Sequence, residues 1–333
     1  MKQLSFLSAL LIASLAVPAA VAQHGELLVA QKGDRSIAIV DPAAGKVVAD
    51  IPEDGVTGHE VAASPDGRLA VVPIYGNTAV GNAGSDGDNI VFIDLKTRKI
   101  VGNLKFPHGV RPHCPRFNPV DGLLYVTTEL DHTVTVINPK TFKIVGAIPT
   151  GQPESHMLIL SHDGTRGYTA NVGPGTVSVL DLKARKLIKV IPISGETQRI
   201  AISNDDRWVF TADQKQPRMA VIDTHALKVV NWVPLDGLGY GSAVTKDGRW
   251  LLMPIPKKGV IDVVNLKTLQ VEHRVELGED SSPQEVLVAP DGHAYVSCPR
   301  GHNVTQIDLA NWTVSRRIAM GRGADGLSWA RGE

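Results

Sequence analysis

Between residues 123 and 149 the chain reads LLYVTTELDHTVTVINPKTFKIVGAIP, three short apolar runs split by polar breaks at Leu130-Asp131-His132 and Asn138-Pro139-Lys140-Thr141. Val, Ile, Thr and Tyr in runs of this length, bounded by turn-forming residues, predict three consecutive antiparallel strands. Copies of the unit occupy residues 171–192, 212–234 and 297–319. A repeat of about forty residues is the spacing of four-stranded propeller blades.

Two kinds of turn mark the repeats. The first follows the first strand of a unit (strand A): Ser64-Pro65-Asp66-Gly67, Asn118-Pro119-Val120-Asp121-Gly122, Ser161-His162-Asp163-Gly164, Ser203-Asn204-Asp205-Asp206, Thr245-Lys246-Asp247-Gly248 and Ala289-Pro290-Asp291-Gly292. The second follows strand C, at Asp41-Pro42, Asp94-Leu95, Asn138-Pro139, Asp181-Leu182, Asp223-Thr224, Asn265-Leu266 and Asp308-Leu309. Asp, Asn, Pro and Gly supply the turn chemistry at both. The first kind occurs six times and the second seven, because residues 27–51 supply strands B, C and D with no strand A before them. The segment GADGLSWA at residues 323–330 resembles a strand A with nothing after it. The expected fold is therefore an all-β, seven-bladed β-propeller whose C-terminal strand completes the N-terminal blade and removes the open edges.

Composition adds an expected address. Residues 1–22 carry one positive charge at Lys2, an apolar run, and Ala20-Val21-Ala22 as small residues, which reads as a secretory signal peptide. A single propeller domain would then fill residues 23–333, in the periplasm or outside the cell, with no membrane span in the mature chain. Basic and acidic residues number 34 each, so losing Lys2 leaves one negative charge in excess and no electrostatic call for nucleic acid. Cys114 and Cys298 fall in repeats that are not ring neighbours, which favours two unpaired thiols over a disulfide.

Tyr125-Val126-Thr127-Thr128, Val134-Thr135-Val136-Ile137-Asn138 and Gly175-Thr176-Val177-Ser178-Val179-Leu180-Asp181 resemble the YVTN-type β-propeller repeat family, within the lactonase-like and cytochrome d1-like propeller superfamily. The resemblance covers nearly all of residues 23–333. It implies the ring fold and an exported protein. For function it implies only a range that includes lactonase-like enzymes, haem-binding reductase domains, amine dehydrogenase subunits and surface-layer binding proteins.

Strand order puts the A-to-B and C-to-D turns on a lower face and the B-to-C and D-to-A connections on an upper one. The lower turns are short and regular, whereas residues 74–89 (IYGNTAVGNAGSDGDN) insert a Gly/Asn-rich excursion above the second blade. Five residues before each A-to-B turn, where strand A borders the channel, the blades read His59, His113, His156, Gln198, Tyr240, Gln284 and, in the closing strand, Asp325. Three successive imidazoles with an oxygen donor such as Gln198 would suit a divalent Zn, Mn, Fe or Cu ion. Arg111 and Arg199 are candidates to hold an anionic substrate, and Glu129 and Glu154 to act as general acid or base.

These residues support two readings. One is a metal-assisted, lactonase-like hydrolase or lyase acting on a small anionic molecule at the upper mouth. The other is a non-catalytic propeller that binds a ligand or an envelope protein partner there. A haem- or quinone-linked electron-transfer subunit is a third. The sequence has no G-x-S-x-G elbow, phosphate loop, H-E-x-x-H helix or C-x-x-C-H haem attachment motif, so no haem or nucleotide motif supports it.

Overall fold

Burial differs from strand to strand within a repeat. In the third repeat the second strand, Leu124–Thr128, is buried throughout, whereas the fourth, Lys143–Pro149, is mostly exposed. Alternating side chains of the middle strands pack on both neighbouring repeats, and the outermost strand faces solvent with charged residues that discourage edge pairing. The computed structural model describes residues 25–332. The signal-peptide segment, Gln23 and His24 lie outside the described residues.

The result is seven four-stranded antiparallel sheets arranged as a seven-bladed propeller. Strand A of blades 2 to 7 is Ala62–Ala63, Pro112–Phe117, Ser155–Leu160, Thr197–Ile202, Ala243–Val244 and Val286–Val288. Blade 1 takes Ala324–Arg331 as its strand A, followed by Gly25–Gln31, Ser36–Asp41 and Lys46–Pro52. Its closing ladder runs from Gly25 opposite Arg331 to Gln31 opposite Ala324. The apolar clusters bridge blades in the same circular order. Leu28, Ile39 and Ala330 pack with Val72 and Ile93 of blade 2, and Leu27 and Val40 pack with Tyr295 and Val304 of blade 7.

Both turn families act through side chains. Ser64, Ser161, Ser203 and Thr245 each donate a hydroxyl hydrogen bond to the Asp two residues on, at 2.5–2.6 Å. In the C-to-D turns the Asp or Asn accepts a backbone N–H two or three residues later, as Asp41 does from Ala44 at 2.9 Å. Strands B and C of blade 2 extend to Gly76 and from Asp86, so the irregular part of the insertion is only residues 77–85. Cys114 and Cys298 are free and buried in separate clusters, and burial pushes both thiols up to about 11. Among the described residues no helix is long and apolar enough to cross a membrane.

Candidate ligand site at the upper channel mouth

His113, His156 and Gln198 are each the second residue of their strand A, while His59 precedes the short strand A of blade 2. His113 and His156 lie inside the register shifts of blades 3 and 4, and Gln198 borders that of blade 5. The neighbouring Arg111, Glu154 and Arg199 have left-handed backbone, with φ of 48°, 51° and 55°. Bulges of this kind re-aim side chains and gather where a fold carries function.

The three imidazoles lie together, with Tyr75 among them. His113 and His156 stack with ring centroids 3.6 Å apart and His59 meets His113 edge-on at 5.8 Å. Tyr75, from strand B of blade 2, is 4.8, 5.0 and 5.3 Å from His59, His113 and His156. Its hydroxyl donates to Glu129 Oε2 at 2.8 Å, and His156 Nδ1 is 3.0 Å from the same oxygen. The shared carboxylate oxygen accepts from both, so Glu129 holds the Tyr75 hydroxyl and the His156 ring in fixed directions. Arg111 NH1 is 3.6 Å from Glu129 Oε1, while its Nε donates to Asp86 at 2.6 Å and its NH2 to Asn82 O at 2.7 Å. Arg111 thus ties the residue 77–85 loop to the mouth.

The imidazoles do not converge on one point. Among the described residues no group of three His, Cys, Asp or Glu is arranged to hold a metal ion, because two rings lie face to face with Tyr75 packed against them. Gln198 Oε1 accepts from Arg199 N at 3.1 Å, so the oxygen expected to complete an ion's shell is engaged by backbone. Glu154 stands apart, accepting from Gly173 N at 2.7 Å. Asn171 and Asp213, at the upper ends of their strands, bind within their own blades, to Ser178 at 2.9 Å and Arg218 at 2.8 Å.

Arg199 belongs to a second cluster that crosses the channel. Its NH1 contacts Glu60 Oε1 and lies 2.8 Å from Glu285 Oε2, and its NH2 donates to Asp325 at 3.2 Å. Lys32 Nζ is 2.8 Å from the other oxygen of Asp325, and the Arg199 guanidinium lies 5.0 Å from the Tyr240 ring. Burial works against the charge of Arg199, yet Glu60, Glu285, Tyr240 and Asp325 hold its pKa well above the ordinary value. Burial also opposes ionisation of Asp325, but Lys32 and Arg199 outweigh it and keep the group at about 2. Gly326 lets this cluster form. A Cβ there would lie 2.6 Å from Glu60 Cα, and Gly326 N donates to His59 O at 3.0 Å. Tyr75 and Lys32 follow the paired residues Ile74 and Gln31 as Glu129 follows Thr128, so the repeat register that points to Glu129 points to them as well.

Burial, with Lys32 adding to it, lowers His59 to about 3, and burial with the neighbouring imidazoles keeps His113 well below its ordinary value. A histidine with a depressed folded pKa gives stability that is complete above 6.5 and is lost as pH falls toward the folded value. Glu53 and Glu285, pushed up to about 7 mainly by burial, act with the opposite sign and offset part of the histidine contribution in the parent protein. Those carboxylates are common to a His59→Gln variant. Its stability relative to the parent should therefore rise by about 2 kcal/mol between pH 7 and pH 5. Urea unfolding at the two pH values measures this, and a constant difference would mean that His59 titrates normally.

The fold and this mouth define a β-propeller with a polar, histidine-lined channel. Residues 118–243, less than half the chain, match the cytochrome D1 heme domain family. A functionally unknown protein from Desulfotomaculum acetoxidans superposes with a TM-score of 0.74 at 15% identity, over 92% of this chain and 99% of the other. Hydrazine synthase of Kuenenia stuttgartiensis gives 0.68 at 18% identity, over 83% and 95% of the two chains. The dihydro-heme d1 dehydrogenase NirN, in complex with DHE, gives 0.64 at 17% identity over 94% and 67%. No curated protein matches the chain in sequence. At these identities the structural likeness shows the fold, and the YVTN-type subdivision of it is not separately established.

The donors at the mouth allow a fit test for a haem-type group. His113 is neutral and buried, and its Nδ1 has no hydrogen-bond partner among the described residues. His156 is backed by the Glu129 carboxylate, the support that orients and strengthens an imidazole as a metal ligand. An iron macrocycle takes such imidazoles as axial ligands, so this donor set fits.

Proposed function

We propose that this chain is a binding propeller that takes an iron tetrapyrrole at the upper channel mouth, where His156 would hold the iron and Glu129 would orient His156. The pairing of His156 Nδ1 with Glu129 at 3.0 Å is the observation that carries the reading. When bound, the iron would supply redox or ligand-binding chemistry. The chain's own part is to hold His156 in one tautomer and to cover the mouth with the Arg111-tethered loop. The family match over residues 118–243 and the likeness to NirN support the reading.

The hydrolase or lyase reading draws on the same residues and needs an acid or base free to act. Glu129 is shared by Tyr75, His156 and Arg111, Glu154 is bound to Gly173 N, and Arg199 is surrounded by carboxylates. Binding keeps the His156–Glu129 pair intact and asks only that the stacked rings part, whereas hydrolysis would need one of these engaged groups freed to act as acid or base.

Titration of the purified protein with hemin, followed by absorbance, tests the proposal. The parent should give a saturable, shifted Soret band. Glu129→Gln should weaken binding by about 10- to 100-fold, and His156→Ala should remove the shifted band. A Soret band that stays at the position of free hemin, or that is identical in parent and His156→Ala, overturns it.

A further inference from the structure

Below the Arg199 cluster the channel widens into a cavity of about 550 Å³ that opens among the A-to-B turns, at the face opposite the histidines. Apolar and polar groups share its lining about equally: Val61, Ile159, Ala201, Val288 and Leu327 on one hand, and Arg116, Arg199, Ser242 and Glu285 on the other. Its size is that of a small-molecule pocket.

Several of these polar groups lack partners. Arg116, on strand A of blade 3, donates only to the adjacent Pro115 O, at 2.9 Å, and has no ion-pair partner among the described residues. Ser242 Oγ and Arg199 Nε are buried without hydrogen bonds, although the Arg199 side chain is only 4% exposed. Glu285 Oε2 lies 2.8 Å from Arg199 NH1 but is too poorly aligned to form a hydrogen bond. Buried donors left unpaired are costly, so Ser242 Oγ and Arg199 Nε, with the half-buried Arg116 lining the same cavity, point to an acceptor that enters from outside.

We propose that the lower channel is a second ligand site, which takes a small monocarboxylate with an apolar body, its carboxylate toward Arg116 and Ser242 and its body against the apolar walls. A guanidinium fork matches a planar carboxylate. Arg199 is paired directly with Glu60, Glu285 and Asp325, whereas Glu60 and Glu285 act on Arg116 only through space, so Arg116 is the guanidinium here with no carboxylate in ion-pair contact. A dianion would bring its second charge against Glu285 and Glu60, which selects a carboxylate over phosphate. His162 at the rim is engaged by Asp206 at 2.6 Å and leaves the entrance free of a competing cation.

Benzoate is a suitable probe, with benzamide as its uncharged counterpart and inorganic phosphate as the dianion. Calorimetric titration of the full chain should show benzoate binding with Kd below about 1 mM and benzamide at least tenfold weaker. Arg116→Met, which keeps the apolar stem, should lose about 10- to 100-fold in benzoate affinity, and Ser242→Ala about 3- to 10-fold. If Arg116→Met fails to fold, the Ser242→Ala ratio and the benzoate-to-benzamide ratio decide the matter. Absence of benzoate binding at about 10 mM, equal affinity for benzamide, or tighter binding of phosphate each overturns the proposal.

Discussion

Removal of residues 324–333 should abolish cooperative folding. The strand they form is the innermost of blade 1 and pairs with Gly25–Gln31 along its length. It buries Ala324, Leu327 and Ala330 between blades 1, 2 and 7, and it brings Asp325 to Lys32 and Arg199. Each large apolar side chain buried is worth about 1.5–3 kcal/mol, and two cations would lose a shared partner. The sum approaches the roughly 5–15 kcal/mol that holds a domain together. The deletion would also bare the edge of Gly25–Gln31, whose sequence GELLVAQ is apolar enough to recruit another chain. The truncated protein should aggregate and show no thermal transition, and a synthetic peptide of residues 323–333 should restore part of the transition by strand addition. A truncation that stays soluble with an unchanged Tm would show that closure contributes little.

Replacing Arg199 with Met should cost about 3–5 kcal/mol, the penalty for leaving buried charges without their counter-ion. Glu60, Glu285 and Asp325 come from blades 2, 7 and 1 and meet at this one guanidinium from blade 5. With Met in place, the three carboxylates face one another with Lys32 and the more distant Arg116 as their remaining cations. Protonation relieves that repulsion, so the variant's folded-state carboxylate pKa values rise. A raised folded pKa contributes stability at low pH that is lost as pH rises through it, so the deficit should be larger at pH 8 than at pH 5. Arg199→Lys should recover only part of the loss, because an ammonium is a point charge without the fork that reaches several carboxylates. Urea unfolding at both pH values measures these differences. A deficit below about 1 kcal/mol at pH 8 would mean that the cluster is solvated and contributes little.

Much of the architecture was legible because it is local and repeated. A Ser or Thr two residues before an Asp makes a hydroxyl-to-carboxylate turn in four of the A-to-B connections, and an Asp or Asn at the end of strand C caps the turn after it. These signals depend on residues within a few positions of one another, so they survive without knowledge of the rest of the chain. The surplus strand at residues 323–330 follows from the same count. The contents of the mouth did not follow. Tyr75 stands at the repeat position of Glu129, so its height was legible, but its packing against three imidazoles from different blades was not.

The amino-acid sequence alone determines a seven-bladed ring, its closure, and the height at which His59, His113 and His156 stand in the channel, because equal steps of a repeat become equal steps around an axis. Tertiary structure alone decides that two of the imidazoles stack rather than converge, and that Glu129 is shared by three side chains. It also decides that Arg199 closes the channel through partners 126 and 139 residues away, above a cavity whose donors are left unpaired. The physical reason is that ring position is set by backbone periodicity, whereas pairing and side-chain direction at the axis are set by whichever charges and shapes seven different blades deliver to the same small volume.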